Sequence, residues 1–396
     1  MHCFDKESIE DIVPGYWYRE PERGWYTESV AISRSEAKMD REKKVLFLAV
    51  DAHTWHNDSG NKGIYAGWQD THDTIIKFQT LVDGIIAQRP IPELDENIPQ
   101  YITENTYEVI KLLADHSFKN FKGQSIAITG TAGKSTAKNL LKMLLEKYHS
   151  VVATRGNHNT RTGVPLTVSC AITQPDYLVV ESAISGLWTT PHGIMKDFPP
   201  LIAVITSIDG GQRKNAHQTA VLKAKVAEGM RDRGAVVLNR DMNEFETVIE
   251  SVKKYNKNII TYGFSEPADS RVLSHIESKD GSVVKASILG EEVRFTTKLN
   301  GQAMISNIMA VLTVIKTLGI PLSSIVDHIK EFEPSEGVLK IEDYKKHDGS
   351  TFTILDDGWN ATGIAMVEAI KICGKKAEYY NGKKNSCNRP HRKLGR

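Results

Sequence analysis

The stretch "SIAITGTAGKSTAKNLLKMLLEKY" (residues 125–148) passes from a short apolar run through a glycine-rich turn into a segment with helical spacing. In Gly130-Thr131-Ala132-Gly133-Lys134-Ser135-Thr136, small residues let successive backbone N–H groups face one concavity and hold phosphate oxygens at a helix N-terminus. Lys134 is placed to reach the outer phosphates of a nucleotide, and Ser135 to offer its hydroxyl to Mg²⁺. Ile126, Ala127 and Ile128 read as a buried strand, while Ala137, Leu140, Leu141 and Leu144 recur on one helix face. Strand, loop and helix stand in the order a phosphate-binding loop requires. The strict pattern GxxxxGK[ST] wants glycine at position 128, where this chain has Ile128, so a glycine-rich turn that binds nothing stays open as the plainer reading.

The chain has 396 residues, enough for two or three domains, and its formal charge of +1 gives no basic footprint for nucleic acid. Small-molecule partners are expected. Cysteines 3, 170, 373 and 387 show neither CxxC pairing nor metal-ligand spacing, so reduced thiols in a cytoplasmic protein are the expected reading. The start, "MHCFDKESIEDIV", lacks an apolar signal region, and nothing later approaches the ~18 apolar residues of a membrane span.

Residues 1–120 read as a small mixed α/β unit, with a strand at 45–50 and helices near 74–81 and 106–115. From Ser125 onward, apolar runs at 150–154, 177–182, 201–207, 234–239 and 258–263 alternate with helical segments. That rhythm predicts an α/β fold: a mostly parallel sheet with helices on both faces. Near Ser270 the pattern changes to apolar–polar alternation around Asp280-Gly281, which predicts an antiparallel hairpin, and a helix from Gln302 to Leu318 follows. This second unit spans 121–335, and a third begins at 336 with a strand at 352–357 and a helix from about Ala365.

Several separated motifs resemble those of the Mur ligases, most closely the type that joins D-alanyl-D-alanine to a UDP-muramoyl peptide. "TGTAGKS" (129–135) matches the family's TGTxGK[ST] loop, which accounts for Ile128. "TRGNHNTRTGVPLT" (154–167) is similar to an asparagine-rich segment in which Asn157 and Asn159 would line the cleft near the acyl substrate, although a helix-capping turn explains it equally. Glu181, at the end of "YLVVE", corresponds to a glutamate that binds Mg²⁺, and a carboxylate at a strand's C-terminal end suits that task. The helix "HQTAVLKAKVAEGM" (217–230) stands where the family carries a lysine that takes up CO₂ as a carbamate. Lys225 is the choice, with Lys223 as the register alternative. A metal-binding histidine is expected just after "ITSIDG" (205–210), and His217 is the nearest, with Asp209 or Gln212 as possible replacements.

"LNGQAMISNIMA" (299–310) resembles GxHNxxN, keeping Gly301 and Asn307 while Ala303 and Met304 replace the His-Asn pair. Val338 stands where an arginine is usual. "ILDDGWNATG" (354–363) is similar to D-D-x-Y-N-A-N-P, so the resemblance implies that Asp356 contacts nucleotide and that Asp357 and Asn360 contact substrate, with Trp359 in the tyrosine's place. Ser33 and Arg34, in "ISRSEAK", resemble a D-S-R segment that contacts a nucleotide-sugar diphosphate, while the usual D-G-H element is missing and "DAHTWHNDSGNKGIYAGW" (51–68) stands instead.

The resemblance implies an ATP- and Mg²⁺-dependent amide ligase in peptidoglycan precursor synthesis. It would activate an acyl group, on a UDP-linked muramoyl peptide or another carrier, and join it to an amino acid or dipeptide. A cytoplasmic monomer is expected. The loss of pattern after Lys384 suggests a truncated third domain, and with it the alternative of a nucleotide-binding relic that no longer turns over.

Overall fold

The computed structural model describes residues 2–59, 68–188, 193–209, 215–230, 234–358 and 363–379, with the side chains of 363–365 left aside. Among them, no helix is long and apolar enough to cross a membrane.

The N-terminal part opens with β1 (Phe4–Asp5), β2 (Tyr16–Arg19), β3 (Tyr26–Thr27), β4 (Ser29–Ala31), β5 (Val45–Leu48), β6 (Gly84–Ala87) and β7 (Gln100–Ile102). Five of these form a sheet in the order β2-β7-β6-β5-β4, parallel except for β2, while β1 and β3 pair separately. The segment expected as a helix at 74–81 is a single α turn followed by a 3₁₀ stretch, Ile75–Leu81, interrupted at Phe78. The helix Thr106–Asn120, capped by Asn105, packs on the helix Gly163–Ser169; its Ile110 and Leu113 share a core with Leu166.

The central sheet contains β8 (Gln124–Thr129), β9 (Val151–Ala153), β10 (Tyr177–Glu181), β11 (Ile202–Ile205), β12 (Ala235–Asn239), β13 (Ile259–Gly263), β14 (Ser270–Ser278), β15 (Gly281–Ile288) and β16 (Glu291–Thr297). Its order is β16-β15-β14-β13-β12-β11-β8-β10-β9, parallel from β9 through β14 and antiparallel across the last three strands. The predicted hairpin is present, with its turn at Lys279-Asp280, one residue before the expected Asp280-Gly281, because Gly281 already pairs with Ser278 as the first residue of β15. On one face lie the helices Lys134–Leu145 and Gln302–Thr317, which bury Leu140, Leu141, Leu144, Ile308 and Ile315 completely. The opposite face is covered by helices including Gly163–Ser169, Ala216–Ala224 and Phe245–Val252. Burial on both faces explains why these strands read as continuous apolar runs rather than alternating ones.

Beyond the central sheet, β17 (Lys340–Lys345) and β18 (Thr351–Asp356) form a hairpin, followed by the helix Gly363–Lys376. The charged strand β17 has no apolar alternation, so the sequence does not predict it.

Leu141 is fully buried between helix and sheet. Leu141→Ala should therefore lower unfolding free energy by about 2–5 kcal/mol in urea titrations; a loss below about 1 kcal/mol would contradict this packing.

Candidate active site

Adjacent parallel strands β8, β10 and β11 end together, and their C-terminal ends carry the phosphate-loop residues, Glu181 and Thr206. The loop is braced from the neighbouring strand. Thr206 Oγ1 donates to the Ala132 carbonyl at 2.6 Å, Ser207 Oγ accepts from Ala132 N–H at 2.8 Å, and the Ser207 carbonyl accepts from Thr131 N–H at 2.9 Å. Gly130 and Gly133 both have positive φ, and a Cβ would meet Thr206 Oγ1 at 2.0 Å and Asn307 Oδ1 at 2.3 Å respectively. Glycine is thus required twice, by backbone conformation and by close approach. Gly133 caps the helix Lys134–Leu145 without a side-chain hydrogen bond, so the first-turn N–H groups of Lys134, Ser135 and Thr136 have no intrahelical acceptor and face outward from the helix end.

Glu181 is fully buried at the end of β10. Its Oε1 accepts from Ser135 Oγ at 3.1 Å and from Asn159 Nδ2 at 2.6 Å, bringing the phosphate loop and the asparagine segment to one atom. Among the described residues Glu181 Oε2 accepts no hydrogen bond, and it lies 3.5 Å from Lys138 Nζ. A hydroxyl beside a buried carboxylate with a spare oxygen is a donor set that fits a hard divalent cation, which ordinarily takes few protein ligands when phosphates supply others. No cluster of three or more His, Cys, Asp or Glu side chains suited to a metal occurs among the described residues.

Three lysines crowd this corner. Lys134 Nζ turns back to the Thr131 carbonyl at 3.4 Å, and burial lowers its pKa against the opposing pull of Glu181. Lys138, not expected from the sequence, is almost completely buried and donates to the carbonyls of Thr154 (2.8 Å) and Gly156 (3.1 Å). Burial lowers its pKa too. Lys223 is 3% exposed and donates to the Gly130 carbonyl at 2.7 Å, under the phosphate loop. Burial first, then the Lys134 charge, hold its ammonium far below the ordinary lysine range. The expected residue, Lys225, is half-buried in the 3₁₀ turn after the helix, and among the described residues no hydrogen bond links it to the loop. Of the two register options, Lys223 faces the site.

Other expectations divide. Asn307 packs on Gly133, within the site. Asn159 reaches Glu181, but the Asn157 side chain is exposed, and among the described residues only its carbonyl is used, by Asn159 N–H. His217 does not reach Glu181: its ring is 67% exposed and meets Glu244 at 3.4 Å and Thr247 at 3.2 Å, one helix away. Thr131 Oγ1 accepts from Asp209 N–H at 3.1 Å, while Gln212, Trp359 and Asn360 lie outside the described residues.

Asp356 ends β18 and Asp357 follows it. Asp357 accepts from Leu339 N–H at 3.2 Å, and burial raises its carboxyl pKa to about 6. Neither aspartate bonds the phosphate loop among the described residues. Ser33 caps the helix Arg34–Met39, and Arg34 is exposed. Asp70, Thr71 and His72 follow the tryptophan-rich stretch and open a short helix. Asp70 caps a short helix and meets His72 Nδ1 at 2.7 Å, and His72 Nε2 accepts from Gln88 N–H.

Residues 128–315 match the Mur ligase middle domain. The chain is 27% identical over 345 residues to UDP-N-acetylmuramoyl-tripeptide--D-alanyl-D-alanine ligase of Buchnera aphidicola, an alignment covering 83% of this chain and 68% of that protein. Against the Bacillus subtilis enzyme of the same name the values are 24%, 74% and 62%, so the chain spans about two thirds of the length of such relatives. The fold is that of the Acinetobacter baumannii D-alanyl-D-alanyl ligase (TM-score 0.72, 18% identity, 94% of this chain and 77% of that one). It is also that of the Thermotoga maritima ligase solved with ADP (TM-score 0.63, 22% identity, 87% and 74%).

A lysine whose folded pKa lies below its unfolded value of about 10.4 binds fewer protons folded than unfolded, so stability rises with pH in the window between the two values. Lys223→Met should flatten, without abolishing, the gain in unfolding free energy between pH 7 and pH 9.5, because Lys134 and Lys138 share the same direction. An unchanged pH slope in urea titrations would contradict the burial of Lys223 as a strained cation.

Proposed function

We propose that this chain, which carries the Mur ligase middle domain over residues 128–315, is an ATP-dependent carboxylate–amine ligase of peptidoglycan precursor synthesis. The convergence of Ser135, Asn159 and Lys138 on the buried Glu181, directly beside the phosphate loop, carries this reading. A carboxylate resists attack by an amine until it is activated. In the reaction its oxygen bonds the γ-phosphorus of ATP and ADP leaves. The amine nitrogen then bonds the acyl carbon, phosphate leaves, and the nitrogen gives up a proton.

The chain's residues meet the electrostatic demand of bringing one anion to another. The N–H groups at the start of the Lys134–Leu145 helix and the Lys134 ammonium would face the charge that develops on the transferring group. Burial makes the Lys134 cation harder to maintain alone, so a phosphate beside it would favour its charged form. Ser135 and Glu181 would hold Mg²⁺, which when bound offsets phosphate charge. Lys223, rather than Lys225, is the better placed lysine for the carbamate that the family resemblance implies, because its amine is disposed to be neutral and therefore nucleophilic toward CO₂. Asn307 seats the loop at Gly133.

By the names of the relatives, the acyl donor would be UDP-N-acetylmuramoyl-tripeptide and the amine D-alanyl-D-alanine. Arg34, exposed at the start of its helix, remains available for an anionic carrier, whereas the Ser33 hydroxyl is engaged as a cap.

Purified protein should release phosphate from ATP only when both an acyl donor and an amine are present, and Lys134→Ala should reduce that release at least a hundredfold. ATP binding without turnover across Mur-type acyl donors and amines would contradict the ligase reading, and undiminished turnover in the variant would remove the role given to the loop.

A further inference from the structure

The segment Thr154–Asn159 does more than present Asn159. It is gripped from both sides. Lys138, on the phosphate-loop helix, holds the carbonyls of Thr154 and Gly156. From the N-terminal part, Arg155 reaches Asp40 at 2.6 Å and the Val30 carbonyl at 2.7 Å, and His158 Nδ1 meets Glu36 Oε1 at 2.5 Å.

Glu36 is the pivot of that contact. Its side chain is 2% exposed, and its other oxygen, Oε2, accepts from the N–H groups of Ile32 (2.8 Å) and Ser33 (3.0 Å) and from the Ser33 hydroxyl (3.1 Å). Burial works to raise the Glu36 carboxyl, but the His158 hydrogen bond and charge, with Arg155, outweigh it and keep it ionised. One carboxylate thus fixes both the turn at 32–34 and His158. The residue after His158 is Asn159, whose amide holds Glu181 and whose carbonyl accepts from Ala183 N–H at 2.7 Å.

We propose that His158 is a positioning residue: by clamping Glu36 it transmits the placement of the 32–34 turn to Asn159, and so sets the Glu181 carboxylate for the cation that accompanies ATP. The chain of contacts is unbroken from Ile32 and Ser33 through Glu36, His158 and Asn159 to Glu181, and it joins residues 122 positions apart in sequence. A ligand seated on the 32–34 turn and one seated on the phosphate loop would therefore each bias the other's site. This inference rests on the nucleotide-binding part of the proposed function.

The test compares full-length wild type, His158→Leu and His158→Asn, the asparagine amide nitrogen standing close to where Nδ1 donates. ATP affinity is measured by calorimetry without Mg²⁺ and across a Mg²⁺ titration. His158→Leu should raise the Mg²⁺ concentration needed for half-maximal enhancement about tenfold while leaving metal-free ATP affinity within twofold, and His158→Asn should recover most of the loss. An unchanged Mg²⁺ requirement in His158→Leu overturns the positioning role, as does equal loss with and without Mg²⁺, the signature of a merely structural residue. If His158→Leu does not fold, His158→Asn and Glu36→Gln are compared instead. The first should stay close to wild type and the second should show the raised requirement; equal behaviour overturns the proposal. Wild type that binds no ATP under any condition defeats the proposed function itself, and this inference with it.

Discussion

A buried carboxylate has to be answered. Glu181 is fully enclosed, and the protein surrounds it with a hydroxyl from the phosphate-loop helix, an amide from the asparagine segment and the Lys138 ammonium. Removing one partner of such a buried charge pair typically costs about 3–5 kcal/mol, so the three segments are held to one geometry. Glu181 Oε2 accepts no hydrogen bond among the described residues and faces only the Lys138 ammonium at 3.5 Å, and it is this oxygen that the proposed Mg²⁺ would engage.

The sheet makes the arrangement possible. Because β8, β10 and β11 are adjacent and parallel, their ends deliver the phosphate loop, Glu181 and Thr206 side by side. Glycines 130 and 133 then admit Thr206 and Asn307 to a distance no side chain would tolerate. The close fit explains how an asparagine far along the chain becomes part of the loop, although the His-Asn pair that often accompanies it is replaced by exposed Ala303 and buried Met304.

Much of this was legible in the sequence, and for definite reasons. The apolar runs of the central strands and the stripe of Ala137, Leu140, Leu141 and Leu144 are local patterns that appear in the fold, and the hairpin near Asp280 appears with its turn one residue earlier than expected. Lys138 was hidden because a charged residue within an amphipathic helix reads as solvated, yet its amine is satisfied by two carbonyls and a carboxylate. That Lys223 and not Lys225 reaches the Gly130 carbonyl turns on where the Ala216–Ala224 helix gives way to a 3₁₀ turn, which a sequence does not fix to two residues. His217 misled because spacing alone cannot show that its ring faces Glu244. The contacts of Arg155 and His158 with Asp40 and Glu36 join distant parts of the chain and leave no periodic trace.

Calorimetric titration of ATP into wild type and Glu181→Gln, with and without Mg²⁺, tests the central role of this carboxylate most directly. Mg²⁺ should strengthen ATP binding to wild type, and the substitution should remove this strengthening while sparing metal-free binding. Equal Mg²⁺ enhancement in both proteins would contradict that role.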